Sequence, residues 1–342
     1  MNVGVVGLGK MGMLHTGILN TINDVNVVAV TEQQTMLIKY IKNSLSNIKV
    51  FQEMSDMIDS ENLDLVYITT PISSHKELIL ECIKKDINFF VEKPLTRNLQ
   101  EAREVYPFIK DSNLINAVGY NLRFVDTFLK TKELLDNKIL GDISDVKASM
   151  YVANIFSKPS GWRFKKETSG GGALLELGCH LIDLLLWYFG NIKEVKGKIE
   201  SVYSEVEDFA NAQIKFVNNI SGEIDTSWSK EGYRIPEVNI EIIGDRGRIK
   251  VNQDLIEMNL KEPISEYDGT EIKIYKQSLE KGVHFDVGGP EYTKEDVNIT
   301  NSIKKIEKPF VTVVDAIKTQ SVIQAIYDSA DKNSIVRVEY PE

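Results

Sequence analysis

Three groups of residues in this chain have the types and spacing that chemistry requires. Gly7, Gly9 and Gly12 stand in the order G-x-G-x-x-G, and an acid, Glu32, follows about twenty residues past the turn. Gly7 suits a tight turn, Gly9 lets a pyrophosphate approach the backbone, and Gly12 lets a helix lie close to a strand. Lys93 sits in "FFVEKP", where a strand end would hold its ammonium in a fixed place, suited to steadying a negative oxygen. Glu176, His180 and Asp183 would fall within roughly 60° of one another on a helix turning ~100° per residue. An imidazole in such a stripe suits proton transfer near neutral pH.

These residues need elements to position them. The apolar run before Gly7 reads as a buried strand, and a helical pattern follows Gly12. A second strand, "VNVVAV", ends at Thr31-Glu32, where a carboxylate would hold a ribose 2′-hydroxyl and repel a 2′-phosphate. No Arg follows within the next few residues, so NAD is favoured over NADP. Strands "KVF", "LDLVYITTP", "NFFVEKP" and "LINAVGYN" then alternate with helical segments. Such alternation predicts a doubly wound parallel sheet, a Rossmann unit over residues 1–121. Ligands of such sheets lie beyond the carboxyl ends of the strands. Thr70-Pro71, Glu92-Lys93-Pro94 and Tyr120-Asn121 would therefore face the same crevice as the glycine turn.

Residues 122–342 read as a second α/β domain, for substrate and subunit contacts. After a helix near 124–138, period-two segments such as "SDVKASMYVA", "ANAQIKFVN" and "PEVNIEIIG" predict a large, mainly antiparallel open sheet. "GDRG" reads as a hairpin turn, and "FVTVVDAIKTQSVIQAIYDSADK" as a long helix before a final strand. The segment 261–308 reads as long and irregular, either a binding loop or a surface insertion. In "FSKPSGWRFKKETSGGG", Trp162 and Arg163 are candidates to line the crevice, the guanidinium taking a hydroxyl, carboxylate or phosphate.

The run "SGGGALLELGCHLIDLLLWYFG" is long enough to suggest a membrane span. Two acids and a histidine in it argue against lipid, and confining them to one stripe of an otherwise apolar helix predicts burial in a protein core. His180 is then either an active-site group or a core histidine bonded to Glu176 at i−4, and the glycines before it favour the former.

Composition narrows the classes further. Hydrophobic residues are 42% and charged residues 26%, as in an ordered globular protein, and 342 residues suggest two cores. A net charge of −10 without basic clusters argues against nucleic acid. Two isolated cysteines suggest a reducing compartment and leave no structural zinc set, so no metal is expected. The amino terminus starts a strand at once, with no leader pattern, and a cytoplasmic protein without a membrane partner is expected.

Together "GLGKMGMLH", "TTPISSHKE", "VEKPL", "GYNLRF" and "GGGALLELGCHLID" resemble the Gfo/Idh/MocA oxidoreductase family, in order and spacing across roughly residues 1–190. The resemblance implies hydride transfer between a nicotinamide cofactor and a hydroxyl or carbonyl carbon of a sugar, nucleotide-sugar or cyclitol. It implies cofactor contacts from Gly7, Gly9, Lys10, Met11, Gly12, Glu32, Thr70, Pro71, His75, Glu92, Lys93 and Asn121. Lys93 matches the family's E-K-P lysine and His180 its helix histidine, and either one serves as the base. Many members carry aspartate where this chain has Glu176, a third catalytic candidate that orients His180 or a substrate hydroxyl. Arg123, Trp162, Arg163 and Asp183 join these as implied substrate contacts, although Asp183 also suits a role in the fold. The sheet implies a homodimer or homotetramer. Two alternatives stay open, a reductase of an unsaturated, imine or keto substrate and a non-catalytic NAD-sensing regulator.

Overall fold

The computed structural model describes residues 1–34, 38, 47–264, 266, 267 and 269–341. The chain forms two compact units, residues 1–121 with 282–317, and residues 122–281 with 318–342.

Unit one begins as the alternation predicts. β1 (Asn2–Val6), β2 (Asn26–Thr31), β3 (Lys49–Phe51), β4 (Leu65–Ile68), β5 (Asn88–Val91) and β6 (Asn116–Val118) form one sheet in the order β3-β2-β1-β4-β5-β6. Every pairing in it is parallel. Parallel strands need crossovers, here supplied by helices α1 (Lys10–Leu19), α2 (Met54–Ser60), α3 (His75–Lys84) and α4 (Leu99–Lys110). Val3, Val5, Leu65, Tyr67 and Phe90 pack in one buried cluster, each large apolar side chain contributing about 1.5–3 kcal/mol of transfer energy. Because β1, β4 and β5 are neighbours running the same way, their carboxyl ends share one edge, which carries the glycine turn, Thr70 and Lys93.

Unit two opens with helix α5 (Asp126–Asp136) and β7 (Ile143–Tyr151), then the apolar stretch ending in helix α6 (Cys179–Phe189). Strands β8 (Ile192–Glu200), β9 (Phe209–Phe216), β10 (Ser221–Ser227), β11 (Glu237–Gly244), β12 (Gly247–Val251), β13 (Leu255–Leu260) and β14 (Glu271–Tyr275) follow. With β7 and the late strand β15 (Val336–Arg337) they form a sheet ordered β14-β13-β12-β11-β7-β10-β9-β8-β15. Only the β7–β10 pairing is parallel, because β7 lies between two strands that enter from elsewhere in the chain. The "GDRG" hairpin forms as expected, with Gly244 opposite Gly247.

The chain then returns to unit one, which the division at residue 121 did not anticipate. Nor is 261–308 one irregular loop, although residues 265 and 268 lie outside the described set. It contains β14, a short helix Lys276–Leu279, and helix α7 (Pro290–Ile303), started by Gly289 at φ 127° and Pro290 in its first turn. The helix packs on α1 and adds Ile299 to the core of unit one. Its buried side also carries Thr293, Glu295, Asp296, Asn298, Thr300 and Ser302, so no apolar stripe announced it. Helix α8 (Val313–Lys332) follows, and the chain passes into unit two within it.

Candidate active site

In unit one the glycine turn has the geometry its sequence demands. Gly7 has φ +87°, a conformation strained for other residues, and its carbonyl accepts a 2.6 Å bond from the Thr69 hydroxyl. A Cβ on Gly12 would lie 2.0 Å from the Gly7 oxygen, so only glycine lets α1 start so close. A Cβ on Gly9 would meet nothing within 4 Å among the described residues. Packing among the described residues does not demand glycine here, and the space beside it is open. Gly9 caps α1, whose first free N–H groups and dipole favour an anion there. That is a cradle that fits a dinucleotide pyrophosphate. Lys10 and Met11 occupy the first turn of the same helix, Lys10 exposed and Met11 half-buried.

Glu32 is brought to this turn. One carboxylate oxygen accepts the Leu8 N–H at 3.1 Å, and the other accepts those of Gln33 and Gln34, each at 2.9 Å. The acid is thus oriented by backbone at the end of β2, where a ribose diol would reach it. Thr70 and Pro71 lie just past β4, and Glu92 and Lys93 just past β5. Asn121 ends the first segment of unit one. Glu92 is buried, and its Oε2 accepts the backbone N–H of Lys93 at 3.1 Å, so it grips the lysine's backbone. The Lys93-Pro94 peptide is cis. His75 is fully buried, with Nε2 3.0 Å from the Thr70 carbonyl and Nδ1 3.0 Å from that of Pro94. Its ring lies between the turns after β4 and β5, and in the neutral form it donates its one N–H to one of these carbonyls. Burial lowers its pKa, favouring the neutral ring.

A further buried polar group adjoins Glu92. His15, Tyr67 and Asp296 are completely buried, and His15 lies between Asp296 and Glu92. The signal was partly visible, since His15 stands in the quoted glycine motif; Asp296 lay in the segment read as irregular.

In unit two, Glu176, His180 and Asp183 are all buried, 8%, 6% and 1% exposed. The stretch Lys166–Phe189 is apolar and long enough to cross a membrane by composition alone, but 72% of its apolar window is buried in the fold. The regular helix does not span all of it. Leu174–Gly178 is a π-helical turn and α6 starts at Cys179, so the expected uniform stripe is corrected. His180 and Asp183 share α6, while Glu176 sits in the wider turn before it, the kind of irregularity common at functional sites.

The start of this stretch is held by Glu207, in the turn between β8 and β9, and by Tyr327 of α8. The buried Glu207 carboxylate accepts the N–H groups of Gly172 at 2.7 Å and Leu174 at 3.0 Å, and the Tyr327 hydroxyl at 2.8 Å. A Cβ at Gly172 would sit 2.1 Å from the Glu207 carbonyl oxygen, and one at Gly171 2.2 Å from the Tyr327 hydroxyl. The glycines are there for close approach, as their sequence suggested. Glu176 pairs with Arg163, whose Nε lies 2.9 Å from Oε1 and whose second nitrogen bonds Oε2. Trp162 beside it is 41% exposed. Asp183 and Arg123 form a buried bidentate pair with both bonds at 2.7 Å, and the guanidinium lies 5.7 Å from the Trp187 ring centroid. Their charges are committed to each other, which favours the structural reading of Asp183 and extends it to Arg123.

A separate cavity of about 410 Å³ lies on the face of the unit-two sheet, between Lys147, Tyr151, Asp225, Glu241 and Lys250. None of the sequence-predicted site residues lines it.

A glycine-turn Rossmann sheet followed by a large mixed sheet defines a dinucleotide-dependent oxidoreductase. Residues 1–120 match the family model of the "Oxidoreductase family, NAD-binding Rossmann fold", and residues 128–250 that of the "GFO/IDH/MocA C-terminal domain". The chain belongs to the Gfo/Idh/MocA family of NAD-binding oxidoreductases. It is 28% identical to myo-inositol 2-dehydrogenase of Thermotoga maritima over 258 residues, 73% of this chain and 74% of that one. It is 23% identical to levoglucosan dehydrogenase of Pseudarthrobacter phenanthrenivorans over 298 residues, 74% of each. A solved structure of a levoglucosan dehydrogenase in complex with NADH superposes with TM-score 0.90 at 21% identity, covering all of both chains.

Proposed function

We propose that this protein is an NAD-dependent dehydrogenase that oxidises a secondary hydroxyl of a cyclitol, sugar or nucleotide-sugar, and runs in reverse as a carbonyl reductase. The observation that carries this reading is the shared sheet edge in unit one. There an anion cradle at Gly9, an oriented ribose acceptor at Glu32 and a strand-end lysine held through Glu92 stand together. The relatives support the substrate class, since their names are those of polyol and anhydrosugar dehydrogenases.

In this reading Gly7, Gly9, Lys10, Met11 and Gly12 border the pyrophosphate, Glu32 takes the adenosine ribose, and Thr70, Pro71, Glu92 and Asn121 border the nicotinamide half. Glu32 selects NAD, because a 2′-phosphate would meet a carboxylate already committed to three N–H groups. Bound NAD supplies the hydride acceptor. As the substrate C–H bond gives up its hydride, the C–O bond becomes a carbonyl and the hydroxyl proton passes to His180. Lys93, at the sheet edge of unit one, is suited to steady the negative charge that develops on a substrate oxygen. Trp162 and Arg163 border the substrate, with Glu176 holding the guanidinium in place.

The protein acts in the cytoplasm as a homodimer or homotetramer on this reading.

The test is reduction of NAD, read at 340 nm, with myo-inositol, scyllo-inositol, levoglucosan and uronic-acid nucleotide-sugars as a panel. Turnover with any of these, lost in Lys93→Ala and His180→Ala while NADH still binds, supports the reading. Binding of NADH without turnover of any panel member in either direction would favour the regulatory alternative.

A further inference from the structure

Helix α7 brings Asp296 into unit one from late in the chain, and its side chain ends against His15. His15 Nδ1 lies 2.8 Å and 3.0 Å from the two Asp296 oxygens, and Nε2 lies 3.1 Å from Glu92 Oε1. The second Glu92 oxygen accepts the Lys93 N–H at 3.1 Å. Tyr67 donates its hydroxyl to Asp296 at 2.9 Å. The His15 ring packs against the stacked pair Tyr67 and Phe90, with centroids 5.3 Å and 5.0 Å away, and edge-on to Tyr292 at 6.2 Å. An unbroken line of polar contacts therefore runs from helix α7 to the backbone of Lys93.

We propose that Asp296 and His15 act through Glu92 as a positioning relay for Lys93, setting the aim of its amine at the sheet edge. The proposal rests on the role given to Lys93 above. It is favoured over a purely stabilising role by the nature of the set. Charged groups so deeply buried are commonly no more stable than apolar residues of the same volume, whereas they hold fixed directions. Both His15 nitrogens face carboxylate oxygens, an arrangement satisfied by an imidazolium donating through each. Burial opposes that charge, but Asp296 and then Glu92 outweigh it and raise the imidazole pKa well above its ordinary value. Glu92 is thus drawn toward His15 through one oxygen, and its other oxygen stays aimed at the Lys93 N–H.

The test needs no substrate. Full-length wild type, Asp296→Asn and Asp296→Glu are methylated with formaldehyde and cyanoborohydride, and the rate at each lysine is read by mass spectrometry. Deuterium exchange of the peptide spanning Lys93 is followed in parallel. The relay predicts at least ~3-fold faster methylation of Lys93 and ~10-fold faster exchange of its peptide in Asp296→Asn. Rates at the exposed Lys49 and Lys85 should stay as in wild type, and Asp296→Glu should move Lys93 back toward wild type. A folded Asp296→Asn protein with wild-type Lys93 methylation and exchange overturns the relay. Should that variant fail to fold, Tyr67→Phe and Glu92→Gln carry the test: faster Lys93 methylation in both supports the relay, and wild-type rates in either overturn it. Wild-type turnover in Lys93→Ala would instead remove the catalytic role of Lys93, and the labelling result would still decide the relay on its own.

Discussion

Arg163 and Glu176 form a single two-bonded ion pair, in which the guanidinium is the accessible partner and the carboxylate the buried one, their side chains 54% and 10% exposed. Removing the guanidinium leaves a buried carboxylate without its main counter-charge, beside the helix that carries His180. Arg163→Ala should lower kcat/KM by ~10-fold, and adding Glu176→Gln should cost little more, because the two act as a unit. Steady-state kinetics of the two single variants and the double variant check this. Losses that simply multiply would show that the residues act independently.

The glycine turn separates binding from folding. Gly9→Ala should fold with the wild-type melting temperature, since its Cβ enters open space, yet lose ~10-fold or more in NADH affinity. Gly12→Ala should lose stability, because its Cβ would collide with the Gly7 oxygen. Thermal melts and NADH fluorescence titrations of both variants read the two effects separately. A destabilised Gly9→Ala protein would contradict the assignment.

Breaking the buried Arg123–Asp183 pair should be costly. Asp183→Ala leaves a guanidinium that is almost wholly out of water, a change worth about 3–5 kcal/mol in comparable pairs. Urea unfolding should show this loss, while Arg123→Met with Asp183→Leu recovers most of it. Wild-type stability in Asp183→Ala would return that residue to the list of substrate contacts.

Glu295 predicts a pH dependence. It is buried, and both carboxyl oxygens lack a hydrogen-bond partner among the described residues. Burial raises its pKa well above 4.5, with smaller upward pushes from Glu92, Asp296 and Glu291 and an opposing pull from His15. A raised folded pKa gives stability that is present below the unfolded value and lost as pH rises toward the folded one. Wild type should therefore lose melting temperature from about pH 5 upward more steeply than Glu295→Gln, which carries no charge to bury. Parallel slopes in the two proteins would contradict the burial of a neutral acid there.

The two halves of the molecule were not equally legible in sequence. The Rossmann sheet could be read because its central strands are apolar runs, as parallel packing demands, and β1, β4, β5 and β6 are closed by Gly7, Thr70-Pro71, Lys93-Pro94 and Gly119. Helix α7 was illegible because its buried side is made of Thr293, Glu295, Asp296 and Asn298, a polar face that buries itself through hydrogen bonds and protonation. Its contribution to His15 was hidden with it. The π turn at Leu174–Gly178 was missed for a different reason. Its residues also suit an α-helix, and the extra width comes with Glu207 and Tyr327 gripping the glycines before it, contacts that join distant parts of the chain. Likewise Arg123 and Asp183 each looked like a ligand contact, and only the fold showed that they meet each other.

In the mechanism proposed above, Lys93 and His180 serve hydride transfer to NAD from a hydroxyl carbon. The most direct measurement is the single-turnover rate of NAD reduction, followed at 340 nm with a polyol or anhydrosugar that the wild type oxidises. Lys93→Met and His180→Asn are compared with wild type at saturating NAD. The account predicts a fall of ~10²–10⁴-fold in each variant, with NADH affinity kept within ~3-fold. Near-wild-type rates in both variants would contradict it.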